Sequence, residues 1–339
     1  MKKRLMDFLC CPNCGNKFEL EIFQIKDEVE IEEGLLKCNC SEIFPIIKSI
    51  PRILPDAFET NLAFCEKHKS NLPKSIILRL KNPQFKKLYK QTQSRFEFQW
   101  KQFAYQKRIF GKTKEDAMNS FFKFSPSNIT KESLSKKLVL DAGCGHGVYV
   151  ENLGELGCEV IGLDIGVGVD ITLERCRHLN NIHVVQGNIL SSPFIHEAFD
   201  YIWCNGVIHH TPDTRQAFSC LSKLIKKGCY LSIWVYPKGS WMWEISQKFI
   251  RSITTRLPEK LLYYLCFIPV PLLSVVKTYS GTSLKNSSWR ECAQVVYDWY
   301  SPEYQSHHTI DEVKDWFEKE GFEDIEIFSV PVGMAGKKI

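Results

Sequence analysis

The sequence has no uninterrupted apolar run of the roughly 20 residues that a membrane-spanning helix requires. Its longest apolar stretch, Leu261 to Leu273, falls short of that length and is broken by Pro269 and Pro271. A secretion-type opening is missing too. Met1-Lys2-Lys3-Arg4 is basic, but Cys10, Cys11 and Pro12 arrive before an apolar core of signal length. Charge of one sign is scarce overall: the net value of +5 at pH 7 identifies no partner by itself. What is present fits a globular chain, with 44% hydrophobic and 24% charged residues among 339, enough for two or three folded units. The fourteen cysteines sit in a long chain, several of them inside apolar strand-like runs (Cys204, Cys229), which reads as reduced thiols and a cytoplasmic location.

The first unit is set by sulfur. Residues 8 to 18 read FLCCPNCGNKF, so Cys11 and Cys14 form a C-x-x-C knuckle with Pro12 and Gly15 supplying the turn. A second pair stands at Cys38 and Cys40, and the alternating segment EIFQIKDEVEIEEGLLK between them suits a hairpin. Four converging thiolates are a tetrahedral Zn2+ site, closed to substrate and therefore structural. Cys10 is a spare. The stretch from Cys38 through Leu54 resembles the small zinc-ribbon family that partners and activates tRNA and translation-factor methyltransferases, and the resemblance covers about the first 55 residues. That family's second knuckle has two residues between its cysteines; here there is one.

From Leu72 to Lys137 there are sixteen Lys/Arg against four Asp/Glu, so the rest of the chain is net acidic. This basic connector reads either as a solvated helical face or as an anion-facing surface. Phe96, Trp100, Phe103 and Phe110 recur at steps that place them on one helical stripe, which predicts packing against the following domain, with stacking on a nucleic acid strand as the alternative.

The strongest pattern starts at Lys137. An apolar strand Leu138-Val139-Leu140 ends in Asp141 and runs into Gly143-Cys144-Gly145-His146-Gly147, followed by a helical VYVENLGELG. A strand, a glycine-rich turn and a helix bring backbone amides against a nucleotide-like ligand with no side chain in the way. A dinucleotide site would need a third glycine where Val148 stands, which weakens a pyrophosphate reading. An acidic residue opening the turn, Asp141, suits a cofactor with a cationic amino-acid end. The next strand, Glu159 to Leu163, finishes at Asp164, at the right distance for a carboxylate that accepts both hydroxyls of a ribose. Further strands over Ile182 to Gln186, Phe199 to Gly206 and Cys229 to Val235 alternate with helices, the one before Cys229 ending near Lys226-Lys227-Gly228. That alternation predicts an α/β, doubly wound parallel sheet.

With these motifs in place the region from Lys137 to Val235 is similar to the class I methyltransferase superfamily, whose small-molecule enzymes carry LDxGCGxG, FDxxxxNGVxHH and LKxGG. The resemblance implies a Rossmann-like methyltransferase sheet behind the small N-terminal zinc ribbon, and S-adenosyl-L-methionine as cofactor. By position it implies that Gly143, Gly145 and Gly147 surround the methionine part, that Asp164 and Ile165 hold the ribose, that Asn188 and Ile189 flank adenine, and that Asn205 lies near the reacting methyl. Asn188 replaces a common Asp and can accept from the adenine amino group through its side-chain carbonyl. Gly166 stands where Ser is common.

Methyl transfer from a sulfonium is an in-line displacement that rests mainly on positioning and on exclusion of water. For a hydroxyl or carbon acid acceptor, His209 or His210, just past the fourth strand, is the best-placed base, with His307 and His308 as runners-up. The expected units are a zinc ribbon over 1–56, a helical basic connector over 57–136 and a catalytic domain over 137–339. The catalytic domain carries an insertion over 236–290 that reads as a lid forming an apolar acceptor pocket, with interfacial membrane contact as a lesser reading. Thr309 to Glu312 starts a last helix that stops at Gly321, before a strand from Asp324 to Val330. Methylation of a small-molecule, lipid-like or sugar-linked acceptor is the first functional reading. An RNA methyltransferase is the second, and a non-catalytic scaffold that works through its ribbon the third.

Overall fold

The computed structural model describes residues 1–27, 29–81, 90–103, 113–272, 278–279, 282–283, 287–329 and 332–339. Phe110 lies outside them, and Phe103 is placed by its backbone only.

The N-terminal unit is an antiparallel meander: β1 (Glu19–Lys26), β2 (Glu30–Lys37), β3 (Ile43–Ile47) and β4 (Ile50–Ile53). The alternating segment between the two cysteine pairs supplies the β1–β2 hairpin. The catalytic part contributes β5 (Leu138–Ala142), β6 (Glu159–Asp164), β7 (Ile182–Gly187), β8 (Phe199–Asn205) and β9 (Ile225–Trp234). After a two-residue pair of strands, β10 (Thr278–Tyr279) and β11 (Thr282–Ser283), the chain closes with β12 (Phe322–Ile327) and β13 (Gly333–Lys338). Strands β5 to β9 are mutually parallel, and β13 runs antiparallel between β9 and β12.

The two parts are one sheet. The order is β1-β2-β3-β4-β7-β6-β5-β8-β9-β13-β12, because β4 joins β7 in parallel register through Arg52 opposite Gln186 and Ile53 opposite Gly187. The seam is reinforced nearer the N-terminus. The amide of Cys10 donates to the Pro193 carbonyl, the amide of Ile195 donates to Phe8, and Lys2 Nζ donates to the Asn180 carbonyl at 2.7 Å.

Both faces of the parallel sheet are covered, as its nearly continuous apolar strands demand. One face packs Val150, Leu153, Val169, Phe121 and Leu134, from helices 148–155, 168–175, 114–123 and 131–134. The other packs Phe218, Leu221, Trp316 and Phe317 together with Leu5, Phe8 and Leu9 of the N-terminal segment. No helix among the described residues is long and apolar enough to cross a membrane.

Three local expectations are revised. The helix before β9 ends at Ser222, and Lys226-Lys227-Gly228 belong to the strand, where Gly228 at φ +76° marks a register shift against β8. Ile225 causes this: it is fully buried opposite Phe199 and draws the strand's start forward. The last helix, Ile310–Lys319, has Thr309 as its N-cap, but Glu312 turns to His308 rather than completing a capping box. Beyond it, β12 stops at Ile327, and β13 was not foreseen. Its GMAGKK lacks β-branched residues, and Gly336 is needed because a Cβ there would lie 2.7 Å from the Phe317 ring.

Candidate active site and metal cluster

The strand ends bring the expected residues to one edge. Asp141 is the next-to-last residue of β5, Asp164 closes β6, Asn188 and Ile189 follow β7, and Asn205 closes β8. Carboxyl ends of parallel strands, where the order turns from β5-β6 to β5-β8, form the crevice that open α/β sheets use for ligands.

The loop from Gly143 to Gly147 is held from behind. Its three glycines all take positive φ, and the helix 168–175 approaches so closely that a Cβ on Gly168 would sit 2.3 Å from the Gly145 carbonyl oxygen. Thr172 Oγ1 donates to that carbonyl at 3.0 Å, and Arg175 Nε donates to the carbonyl of His146 at 2.9 Å. The amides of Gly143 and Cys144 donate to the Leu163 carbonyl, at 2.7 and 3.0 Å, and so are spent on β6 rather than offered to a ligand. Asp164 draws the two motifs together. Its Oδ2 accepts from the Gly145 amide at 2.9 Å and its Oδ1 from the Gly166 amide at 2.8 Å, leaving further lone pairs on each oxygen.

Electrostatics single out Asp141. It is buried, its Oδ2 has no hydrogen-bond partner, and burial together with the nearby Asp164 charge pushes its pKa up to about 8. Burial also raises Asp164, against the pull of the Gly166 and Gly145 amides. A carboxylate so placed is satisfied by a cation.

At the adenine position, Asn188 Oδ1 accepts from the Leu190 amide at 3.0 Å, with a second lone pair remaining, and Ile189 is buried beside it. Asn205 is half-buried next to Gly206.

The histidines separate by their partners. His209 and His210 form a single 3-10 turn after β8. His209 is 0% exposed, stacks on Tyr236 at 3.9 Å, and neither of its ring nitrogens has a partner; burial holds its pKa well below the ordinary value. His210 Nδ1 lies 3.1 Å from the Tyr304 carbonyl, which fixes Nδ1 as the donor and leaves the lone pair on Nε2; burial lowers its pKa to about 3. His307 and His308 have both ring nitrogens engaged, by Glu244 and Gln305 and by Glu312 and Ser306 respectively.

Two features escape a reading of the sequence. Trp100, on the connector helix Lys90–Phe103, stacks on His146 at 4.8 Å and lies over Gly145, where a Cβ would meet the indole at 2.8 Å. The glycine loop is thus roofed by the connector. Phe96 of the same helix meets the edge of His210 at 5.4 Å. Asp298 also accepts from Gln99 at 3.2 Å and from the Tyr236 hydroxyl at 2.9 Å, which ties together the connector, the segment after β9 and the helix Trp289–Tyr300. The helical stripe was legible; which loop it would face was not.

The cysteine cluster converges. Cys11, Cys14, Cys38 and Cys40 have all four sulfurs within 4.8 Å of one another, with Cys11–Cys40 at 3.6 Å and Cys14–Cys38 at 3.4 Å. Four sulfurs at ~2.3 Å from a tetrahedral Zn2+ are roughly 3.8 Å apart, so the donor set fits that ion with little adjustment. The single-residue second knuckle closes normally, since the Ser41 amide donates to Cys38 and Ser41 takes φ +72°. Cys10 stays outside, buried, with its thiol pushed up to about 11 by burial. A second group, Glu151, Glu155 and His178, is already neutralised by Lys114 and Arg175.

Comparison with known proteins agrees with both units. Residues 140–233 match the family described as "Methyltransferase domain", and residues 2–49 match "Trm112p-like protein". The chain is similar to a demethylmenaquinone methyltransferase of Staphylococcus haemolyticus, 27% identical over 34% of this chain and 53% of that one. It is also similar to a ubiquinone biosynthesis O-methyltransferase of Pectobacterium carotovorum, 28% identical over 34% of this chain and 49% of the relative. The chain therefore spans about half the length of these curated relatives. Among solved structures, magnesium protoporphyrin IX methyltransferase of Synechocystis aligns over 81% of this chain and 99% of its own, with 13% identity and a TM-score of 0.40.

Proposed function

We propose that this chain, which carries a class I S-adenosylmethionine-dependent methyltransferase domain behind a Trm112p-like zinc ribbon, methylates an apolar or aromatic small-molecule acceptor at the carboxyl edge of the sheet, on the side covered by the helices of residues 241–265. The observation that carries this reading is the aromatic cluster packed at that edge. Tyr236 lies in ring contact with His209, His210 and Trp299, Phe96 meets His210 in turn, and the polar groups among them are few and oriented. Apolar walls with a few placed polar groups suit a planar organic acceptor better than a charged polynucleotide. The two curated relatives are named for quinone pathways, which agrees with an acceptor of this kind.

S-adenosylmethionine, when bound, supplies an electrophilic methyl on a cationic sulfur. Asp141 is the residue suited to its ammonium group, Asp164 to its ribose hydroxyls and Asn188 to its adenine edge. Trp100 covers the loop from the solvent side, and water exclusion is what a displacement of this type needs. His210 is the better placed of the two adjacent histidines to take a proton, because its Nδ1 is anchored and its Nε2 keeps a lone pair. A base as weak as this one is adequate if the proton leaves late, once the methylated oxygen has become strongly acidic. His209 has no such anchor and serves as a stacked wall.

The test is to incubate the purified full-length protein with methyl-labelled S-adenosylmethionine and a fractionated host extract. Label should enter the solvent-extractable, low-molecular-weight fraction. Label confined to RNA would overturn the acceptor class and move the basic connector into the role of an RNA-binding surface. Absence of any transfer, with no measurable binding of the cofactor, would return the chain to a scaffold role.

A further inference from the structure

The helix Trp241–Thr254 is mounted inside out. Helices on globular surfaces bury their apolar face and show water the polar one. Here the inward side is mainly polar, with Trp243 the aromatic exception against His307 and Trp299. Gln247 accepts from Trp299 Nε1 at 3.0 Å, Arg251 donates to the carbonyls of Trp299 and Pro302 at 2.8 and 2.6 Å, and Glu244 is paired with His307 at 2.8 Å. The side facing out carries Trp241, Met242, Ile245, Phe249 and Ile253, each between 50% and 73% exposed. The following helix, Glu259–Leu265, and the turn after it also expose Leu261, Tyr264 and Ile268. A contiguous apolar strip of this kind is uncommon on a free monomer and marks an interaction face.

Its charges indicate what covers it. Lys248, Arg256 and Lys260 are exposed at the margins of the strip, whereas the acid on the first helix, Glu244, is turned inward onto His307 and the Gly239 amide. A two-fold pairing of copies through this face would set the basic margins of one copy against the same face of the other, where helix 241–254 offers no exposed acid to meet them. An anionic lipid surface would neutralise them while accepting the aromatic and aliphatic side chains below the headgroups.

We infer that the exposed face of residues 241–268 is a membrane-docking surface, on which the apolar strip enters the interfacial layer of an anionic bilayer and the flanking lysines and arginine meet its headgroups. The same helix is bonded through Glu244 to His307 and through Gln247 to Trp299, so docking would bring the aromatic cluster of the proposed acceptor site close to the lipid phase. The inference does not depend on the proposed acceptor, because docking is read without cofactor or turnover.

The experiment is co-sedimentation of the full-length, zinc-replete protein with vesicles of phosphatidylcholine alone and of phosphatidylcholine with phosphatidylglycerol in equal parts. Binding is expected to the anionic vesicles and to be weakened, but not abolished, by salt. The double substitution Ile245→Glu with Phe249→Glu should reduce partitioning by on the order of a hundredfold, from the loss of two buried apolar side chains, while leaving the melting temperature unchanged because both sites are exposed. Tryptophan quenching by brominated lipid should fall in Trp241→Phe. No binding to anionic vesicles, or equal binding by the double variant, would overturn the inference. So would a lipid-free dimer that Ile245→Glu dissociates, since a second copy would then be the partner that covers the strip.

Discussion

Asp141 keeps a carboxyl group out of water with one oxygen unpartnered, and at neutral pH its pKa of about 8 means that the empty protein holds it largely protonated. A ligand ammonium placed against it favours the ionised form, so binding expels a proton. Calorimetry of S-adenosylmethionine binding at pH 7, in two buffers of different ionisation enthalpy, should show more proton release from the wild type than from Asp141→Asn; equal release would separate Asp141 from the ammonium. The same shift has a consequence for the empty protein. A carboxyl whose folded pKa lies above its ordinary 3.8 binds more protons folded than unfolded between those values, so its contribution to stability falls as pH rises from 3.8 to about 8 and is level beyond. Asp141, Asp164 and the glycine turn were legible in the sequence because strand, acid and glycine spacing is a local signal. Trp100 was legible only as part of a stripe. Helical periodicity tells which residues share a face, but what that face meets is decided by the tertiary arrangement.

Between elements, the joint that matters most is β4 on β7. Arg52, buried on β4, forms a bidentate pair with Asp170 at 2.9 and 2.6 Å, and its Nη1 also donates to Gln186 at 3.1 Å. Gln186 in turn donates to the carbonyl of Ile165, beside the proposed ribose carboxylate. A ribbon residue therefore braces the loop after β6 through one intermediary. Asp170 is partly exposed, so the loss on Arg52→Ala is less than for a fully buried pair, about 2–3 kcal/mol. We expect a lower melting temperature and a weaker affinity for S-adenosylmethionine in that variant, with Arg52→Lys restoring part of the stability but little of the affinity, because a point charge cannot bridge both partners. Unchanged affinity in Arg52→Ala would leave the ribbon without a part in ribose binding. The pairing of β4 with β7 had no sequence signal, since edge strands advertise hydrophobicity but not the neighbour they join. The missed β13 has a similar cause: Gly336 is fitted closely against Phe317 and Phe322, and the glycines and alanine of the strand carry no strand propensity of their own.

For the molecule as a whole, the ribbon and the catalytic part share a core as well as a sheet. Met1, Leu5, Phe8, Leu9, Phe18 and Phe44 cluster with Leu140, Ile161, Phe194 and Phe199. A closed thiolate site contributes on the order of 10 kcal/mol to the folding of a small domain. Stoichiometric zinc by elemental analysis is therefore expected, and its removal by chelation should destabilise the catalytic part along with the ribbon, in one transition rather than two. A catalytic transition untouched by chelation would show the shared core to be unimportant. The doubly wound sheet was readable from alternating strands and helices, while its continuity with the ribbon rests on contacts more than a hundred residues apart in sequence. The proposed activity depends on the carboxylate that ends β6 holding an adenosyl ribose against the glycine loop. The most direct measurement is calorimetric titration of S-adenosylmethionine into wild-type protein and Asp164→Ala, with circular dichroism to establish that both are folded. Loss of charge-assisted hydrogen bonds to two hydroxyls predicts an affinity reduced by roughly a hundredfold or more; a folded variant that binds the cofactor as tightly as the wild type would contradict it.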